Sequence, residues 1–397
     1  MSFHSLPPRA ARGFTLIELL ISMTIGLVLI AALGTVVNRY EISKRRNSST
    51  SDLALNSGYL TYDLDRQLRS AGSGFYRLST SFGCLMHSSI AGSQILPALT
   101  AFPAPFGSVS KNVRMIPLMV WEGAGQGGSD LIQVMNTSAG VSETPMQVIP
   151  KSVKATTLQL DNFIGIRQND LLLLAEPLPA PCMVVQAGAI PAASASPNPA
   201  LPLGGTFFSS SINNVSIVTF GMSGEFTSLV NLGNQAGNTP RFQLLGVNAA
   251  QQLVSYDMLR LNNMPNDATA PVPLADGVMD LRVRYGIGSV VGGKITTNWV
   301  TPSGAFSGAT LSDGSADSSA NLSAIVAIRV SMLLRAERIE NDVSSPSSFK
   351  MFSSLPANMQ VTRNIAGDEL KRTYKLVEFT VPVRNAITNL SDRPDIP

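Results

Sequence analysis

Residues 13–37 read GFTLIELLISMTIGLVLIAALGTVV. From Phe14 to Val37 the run contains no Lys or Arg and a single acid, Glu18. As a helix it spans about 36 Å, enough to cross a hydrocarbon core of about 30 Å with some tilt. It is longer than a secretory signal core, and no small-x-small cleavage site follows it before Arg39. The sequence therefore predicts a membrane helix that stays attached. The competing reading, a buried helix of a soluble protein, rarely has so long an uninterrupted apolar run. A carboxylate inside such a run costs a few kcal/mol, so Glu18 calls for a partner.

The net charge of +3 is concentrated around this segment. Residues 1–46 hold six basic residues and two acids, which leaves the rest of the chain at −1. A nucleic-acid binder carries its basic face on the folded domain, and the charge balance points to none; no nucleic-acid partner is expected. Charged residues are only 14% of the chain, against about 25% in a typical soluble domain. His4 and His87 are the only histidines, and Cys84 and Cys182 the only cysteines. That scarcity argues against histidine acid–base catalysis, multi-histidine metal sites and cysteine-rich zinc modules. The expectation is a protein without enzymatic activity, cofactor or metal.

The stretch Gly13-Phe14-Thr15-Leu16-Ile17-Glu18, behind a short polar leader ending in Arg12, resembles the prepilin signature of type IV pilins and type II secretion pseudopilins. The resemblance implies that a membrane peptidase cuts between Gly13 and Phe14 and methylates the new amino terminus at Phe14. It also implies that Glu18 pairs with the amino terminus of a neighbouring subunit during filament assembly. Two features depart from the common pattern. Major pilins often have a proline in the second half of this helix, where this chain has Gly34-Thr35. Four basic residues follow the span and two precede it, so the positive-inside rule does not favour a cytoplasmic leader. The resemblance alone sets the expected orientation, with the head in the periplasm and later at the cell surface.

Beyond the span, Leu53, Leu60, Leu64, Leu68 and Ala71 recur on one helical face, and Gly72-Ser73-Gly74 supplies a stop. Arg39 and Lys44, Arg45 and Arg46 mark the membrane–water boundary, with DNA binding as the competing reading. After Gly74 the pattern turns to short β-like runs between Gly/Pro/Ser-rich loops. Strands are expected over 130–135, 157–161, 171–175, 279–285, 326–334 and 377–383. Residues 179–202, 286–323 and 341–368 read as loops or insertions. The apolar residues at 279–285 alternate with Asp280, Arg282 and Arg284, those at 326–334 face away from Arg329, Ser331 and Arg335, and Val377, Phe379, Val381 and Val383 make the last strand.

The segments ADGVMDLRVRYGI, NLSAIVAIRVSMLLRAER and RTYKLVEFTVPVRN, with Trp299 among them, resemble PilW-type minor pilins, as do SGYLTYDLDRQLRSAGSGF and the FGC at 82–84. The implied fold is α+β and type IV pilin-like: a long helix, half in the membrane and half amphipathic, packed on a β-rich head. The expected divisions are a leader at 1–13, a membrane helix at 14–37, a helical extension at 38–72 and a head at 73–397. The implied role is that of a minor pilin that helps prime pilus assembly and sits at or near the tip. The alternatives are a minor pseudopilin of a type II secretion system, or a tip adhesin or DNA-uptake component. Implied partners are other minor pilins and the major pilin, the prepilin peptidase, inner-membrane lipid and a tip adhesin.

Several other signals carry less. Gly123, Gly125 and Gly128 satisfy GxGxxG, but the SDLIQVM run after them reads as a strand, so a glycine turn is expected rather than a phosphate site. The acidic loop Asp313–Asp317 lacks the twelve-residue spacing of a calcium hand. His87 reads as a loop residue. In an oxidising compartment Cys84 and Cys182 allow one intramolecular disulfide, two buried thiols being the alternative.

Overall fold

The computed structural model describes residues 15–391 except 140–143, 163, 191–199, 223–226, 262–269, 292–293 and 341–343. The leader, with Gly13 and Phe14, lies outside the described residues. The chain divides into two units, Met1–Asp52 and Leu53–Pro397. Helix α1 (Leu16–Arg69) runs for 54 residues.

In the first unit the apolar side chains of α1 face outward on every side, and no residue of its most apolar window is buried. A helix that is apolar all round needs an apolar surrounding, and by length and composition this one can cross a membrane.

In the second unit, residues 53–69 of α1 contribute Leu53, Leu60, Leu64 and Leu68 to the main core, and Ala71 joins them there. The helix stops at Arg69, short of the expected 72. Gly72 adopts a φ of +74° and donates its N–H to the Met135 carbonyl at 2.8 Å. A left-handed residue there closes the helix and ties its end to the sheet.

Among the described residues the unit holds three larger sheets. A six-stranded mixed sheet runs in the order Ser93–Leu96, Met86–Ile90, Cys182–Gln186, Asp170–Ala175, Ser228–Asn234, Met146–Gln147. The run 171–174 reads Leu-Leu-Leu-Leu because its strand is covered on both faces. Leu171 and Leu173 join the main core, and Leu172 and Leu174 join a second one. A five-stranded antiparallel sheet is ordered Val272–Ala275, Leu253–Asp257, Arg241–Val247, Leu131–Asn136, Leu118–Trp121. The C-terminal sheet is antiparallel, in the order Lys294–Val300, Val278–Val291, Ile325–Arg335, Tyr374–Pro382.

The three segments expected to be loops contain structure. Strand Cys182–Gln186 lies inside 179–202, between two neighbours of the mixed sheet. Within 286–323 the long strand continues to Val291, Lys294–Val300 pairs back onto it, and the short helix Gly308–Leu311 and helix Ala316–Ala324 follow. Within 341–368 a hairpin pairs Ser348–Met351 with Val361–Asn364. Lys294–Val300 is an edge strand, and an edge carries no two-faced apolar signal for a sequence to display.

The hairpin also covers the face of the C-terminal sheet that carries polar residues. Met351, Phe352, Leu355 and Ile365 pack with Met279 and Leu333 in a third cluster. Asp280 and Ser331 are fully buried, and Arg284 is 2% exposed. Alternation of polar and apolar residues is thus present, but the polar face is covered.

Candidate assembly site

Glu18 lies in the first turn of α1 and is fastened to Thr15. The Thr15 N–H and Oγ1–H both donate to Glu18 Oε2, at 3.0 and 2.9 Å. In return Glu18 N–H donates to Thr15 Oγ1 at 3.4 Å. This is a reciprocal capping box that satisfies amide groups left open at a helix start. The sequence carries its signal, Thr-x-x-Glu, in the same residues that suggest an intersubunit role. Its arrangement keeps the carboxylate in the first turn of an apolar helix.

The collar of basic residues beyond the span is exposed, and its one acid, Glu41, pairs with Arg45 at 3.0 Å.

Further along α1, Leu55, Tyr59 and Tyr62 are exposed. Beside them an open groove of about 470 Å³ is lined by Ser57, Thr61, Tyr62, Lys375, Val377 and Phe379. Lys375 Nζ donates to Ser57 Oγ across it at 2.6 Å, tying the helix to the last strand.

Elsewhere in this unit a charge network joins the five-stranded sheet to the C-terminal one. Asp130 accepts the N–H groups of Gly123 and Val283, each at 2.8 Å, and lies 3.5 Å from Arg282. Arg282 also meets Asp280 at 3.0 Å, and Ser129 Oγ donates to Asp280 at 3.1 Å. Arg284 pairs with Glu122 at 3.2 Å, donates to the Met359 carbonyl at 2.9 Å, and stacks 5.0 Å from the centre of the Phe352 ring. Desolvation pushes the Asp130 carboxyl up to about 6, although the Gly123 amide, Arg282, the Val283 amide and Arg284 all pull it down. Burial likewise draws the Arg284 guanidinium below its ordinary range, against the opposing pull of Asp130 and Glu122. Each partner is needed by the others, since a buried charge left alone costs several kcal/mol.

The other residues that stand out in the sequence take structural places. Cys84 and Cys182 are bonded, with 5.7 Å between Cα atoms, next to the parallel pairing of Met86 with Cys182. His87 is a strand residue rather than a loop residue: it lies in Met86–Ile90, pairs with Met183 and is 2% exposed. Burial holds its imidazole below its usual pKa, partly offset by a hydrogen bond to the Ile212 backbone. Gly123, Gly125 and Gly128 form the turn between two paired strands, with Gly123 and Gly128 at positive φ. Asp313 accepts the Ser315 N–H at 2.7 Å, and Ser315 caps helix Ala316–Ala324. Among the described residues no three His, Cys, Asp or Glu side chains gather as a metal site.

Residues 8–34 match the family model described as the prokaryotic N-terminal methylation motif. That motif lies on a long apolar helix ahead of a β-rich unit, the arrangement expected from the type IV pilin resemblance. Residues 245–385 match the family model described as type IV pilus-assembly protein W, or PilW. The matched region covers most of the five-stranded sheet's later strands and the whole C-terminal sheet with its covering hairpin. A type IV-like pilin from Thermus thermophilus is 14% identical, covering 55% of this chain and 87% of that one at a TM-score of 0.20. A likeness that slight carries no argument. Comparison with curated proteins finds no match.

Proposed function

We propose that the protein is a minor pilin that acts through subunit contacts, helping to prime type IV pilus assembly and sitting at or near the pilus tip. The observation that carries this reading is the presence in one chain of the methylation motif at 8–34 and the PilW match at 245–385. On this reading the peptidase cuts between Gly13 and Phe14 and methylates Phe14, and the β-rich unit lies in the periplasm before assembly. Cys84 and Cys182 then meet in an oxidising compartment, where their bond persists. Glu18 exchanges part of its capping box for the cationic amino terminus of a neighbouring subunit. That contact is directional, whereas apolar helices packing in lipid gain little register from one another. The remaining partners are other minor pilins, the major pilin and a tip adhesin.

The test is Glu18→Ala in cells lacking the native chain. The capping box is lost and the β-rich unit stays folded, so processing continues while piliation falls at least several-fold. Wild-type piliation with the variant incorporated normally would refute the assembly role. A defect confined to protein secretion, with pili intact, would place the chain in a type II secretion system instead.

A further inference from the structure

Immediately past the apolar run come Arg39, Lys44, Arg45 and Arg46, all exposed, with Glu41 as the only acid between residues 38 and 51. At about 100° per residue, Arg39 and Arg46 share one side of α1, Lys44 lies about 140° away and Arg45 about 240° away. The charges therefore surround the helix instead of forming one face. A protein or nucleic-acid groove meets a helix from one side, whereas a lipid headgroup layer meets it from all sides. The four residues also occupy only about 10 Å along the axis. Side chains on a helix lean toward its amino terminus, which here is toward the apolar span. Long Arg and Lys stems can thus lay their cationic ends down at the level of the lipid phosphates.

Topology does not account for the cluster. With the leader in the cytoplasm, these cations lie on the far side of the bilayer, opposite to the side that the positive-inside bias favours.

We propose that Arg39, Lys44, Arg45 and Arg46 form a collar that binds the phosphates of anionic phospholipids around the helix, holding the unassembled subunit at a fixed depth. The proposal rests on 14–37 being a membrane span. Glu41, paired with Arg45 at 3.0 Å, trims the collar's charge without breaking its ring.

The test reconstitutes the full chain into phosphatidylcholine bilayers containing either spin-labelled phosphatidylglycerol or spin-labelled phosphatidylcholine, and measures the lipid immobilised at the protein. Phosphatidylglycerol should be preferred about fivefold at low salt, the preference fading at about 0.5 M salt. A variant carrying R39Q, K44Q, R45Q and R46Q should lose the preference yet immobilise phosphatidylcholine as before. Equal affinity for both lipids in the wild-type chain would overturn the collar while leaving the span intact. Absence of any immobilised lipid would overturn the span itself. Retention of duplex DNA by the wild-type chain but not the variant, without lipid preference, would assign the cations to nucleic acid and overturn the proposal.

Discussion

Replacing Asp130 by Asn isolates the titration of the buried carboxyl at the centre of the charge network. The wild-type carboxyl is pushed up to about 6 in the folded protein, against about 3.9 when unfolded. The folded state therefore binds a proton more tightly than the unfolded one. Stability from that proton is fully present below the unfolded pKa and is lost as pH rises through about 6. Two units at about 1.4 kcal/mol each give a limit on the order of 3 kcal/mol, of which about 2 kcal/mol falls between pH 7 and pH 4. The Asn variant cannot take up that proton. At pH 7 it avoids the desolvated charge but turns an amide group toward the N–H of Gly123 or Val283, so two donors face each other, and it leaves Arg282 with Asp280 alone. These opposing effects set an offset, whereas the pH dependence of the difference comes from the titration. Urea unfolding of the detergent-solubilised chain, followed by the fluorescence of Trp121 and Trp299, reads it directly. Relative to wild type, Asp130→Asn should lose about 2 kcal/mol as pH falls from 7 to 4. Parallel profiles, separated by a constant offset, would refute the assignment of a raised pKa to Asp130.

His87 gives the opposite slope. Its folded pKa is depressed by burial, so the unfolded chain takes up the proton first and stability falls as pH drops below about 6.5; His87→Gln should flatten that limb in the same urea series. Replacing Cys84 and Cys182 together by Ser opens a loop with a sequence separation of 98 and should destabilise the β-rich unit by up to about 4.7 kcal/mol. A urea midpoint unchanged from the oxidised wild type would contradict that contribution.

The apolar helix is legible in the sequence because its length has few alternative readings, and the stripe from Leu53 to Ala71 because every member of it is buried. The strands around 279–285, 326–334 and 377–383 are legible from alternation, which survives even where the polar face is covered. The covering itself is hidden. Nothing local to Arg284 announces that Phe352 and Met359, some 70 residues later, will close over it. The hairpin carrying them is short and set among Ser and Pro, so its propensity signal is weak. His87 misleads for a related reason: in the polar run His-Ser-Ser, all three residues buried, His87 pairs with a strand nearly 100 residues away, while Ser88 and Ser89 pair with the adjacent Ser93–Leu96. The Thr15–Glu18 box is local and readable, but a carboxylate in an apolar run points first to a neighbouring subunit and only second to its own helix start.

On the proposed function, this chain is processed as a prepilin and built into a pilus. Mass spectrometry of pili sheared from cells expressing the chain tests both parts at once. The account predicts a low-abundance subunit whose first residue is N-methylated Phe14, together with Gly13→Leu precursor that stays in the membrane fraction. Pili that lack the chain, or a mature protein that begins anywhere other than Phe14, would contradict it.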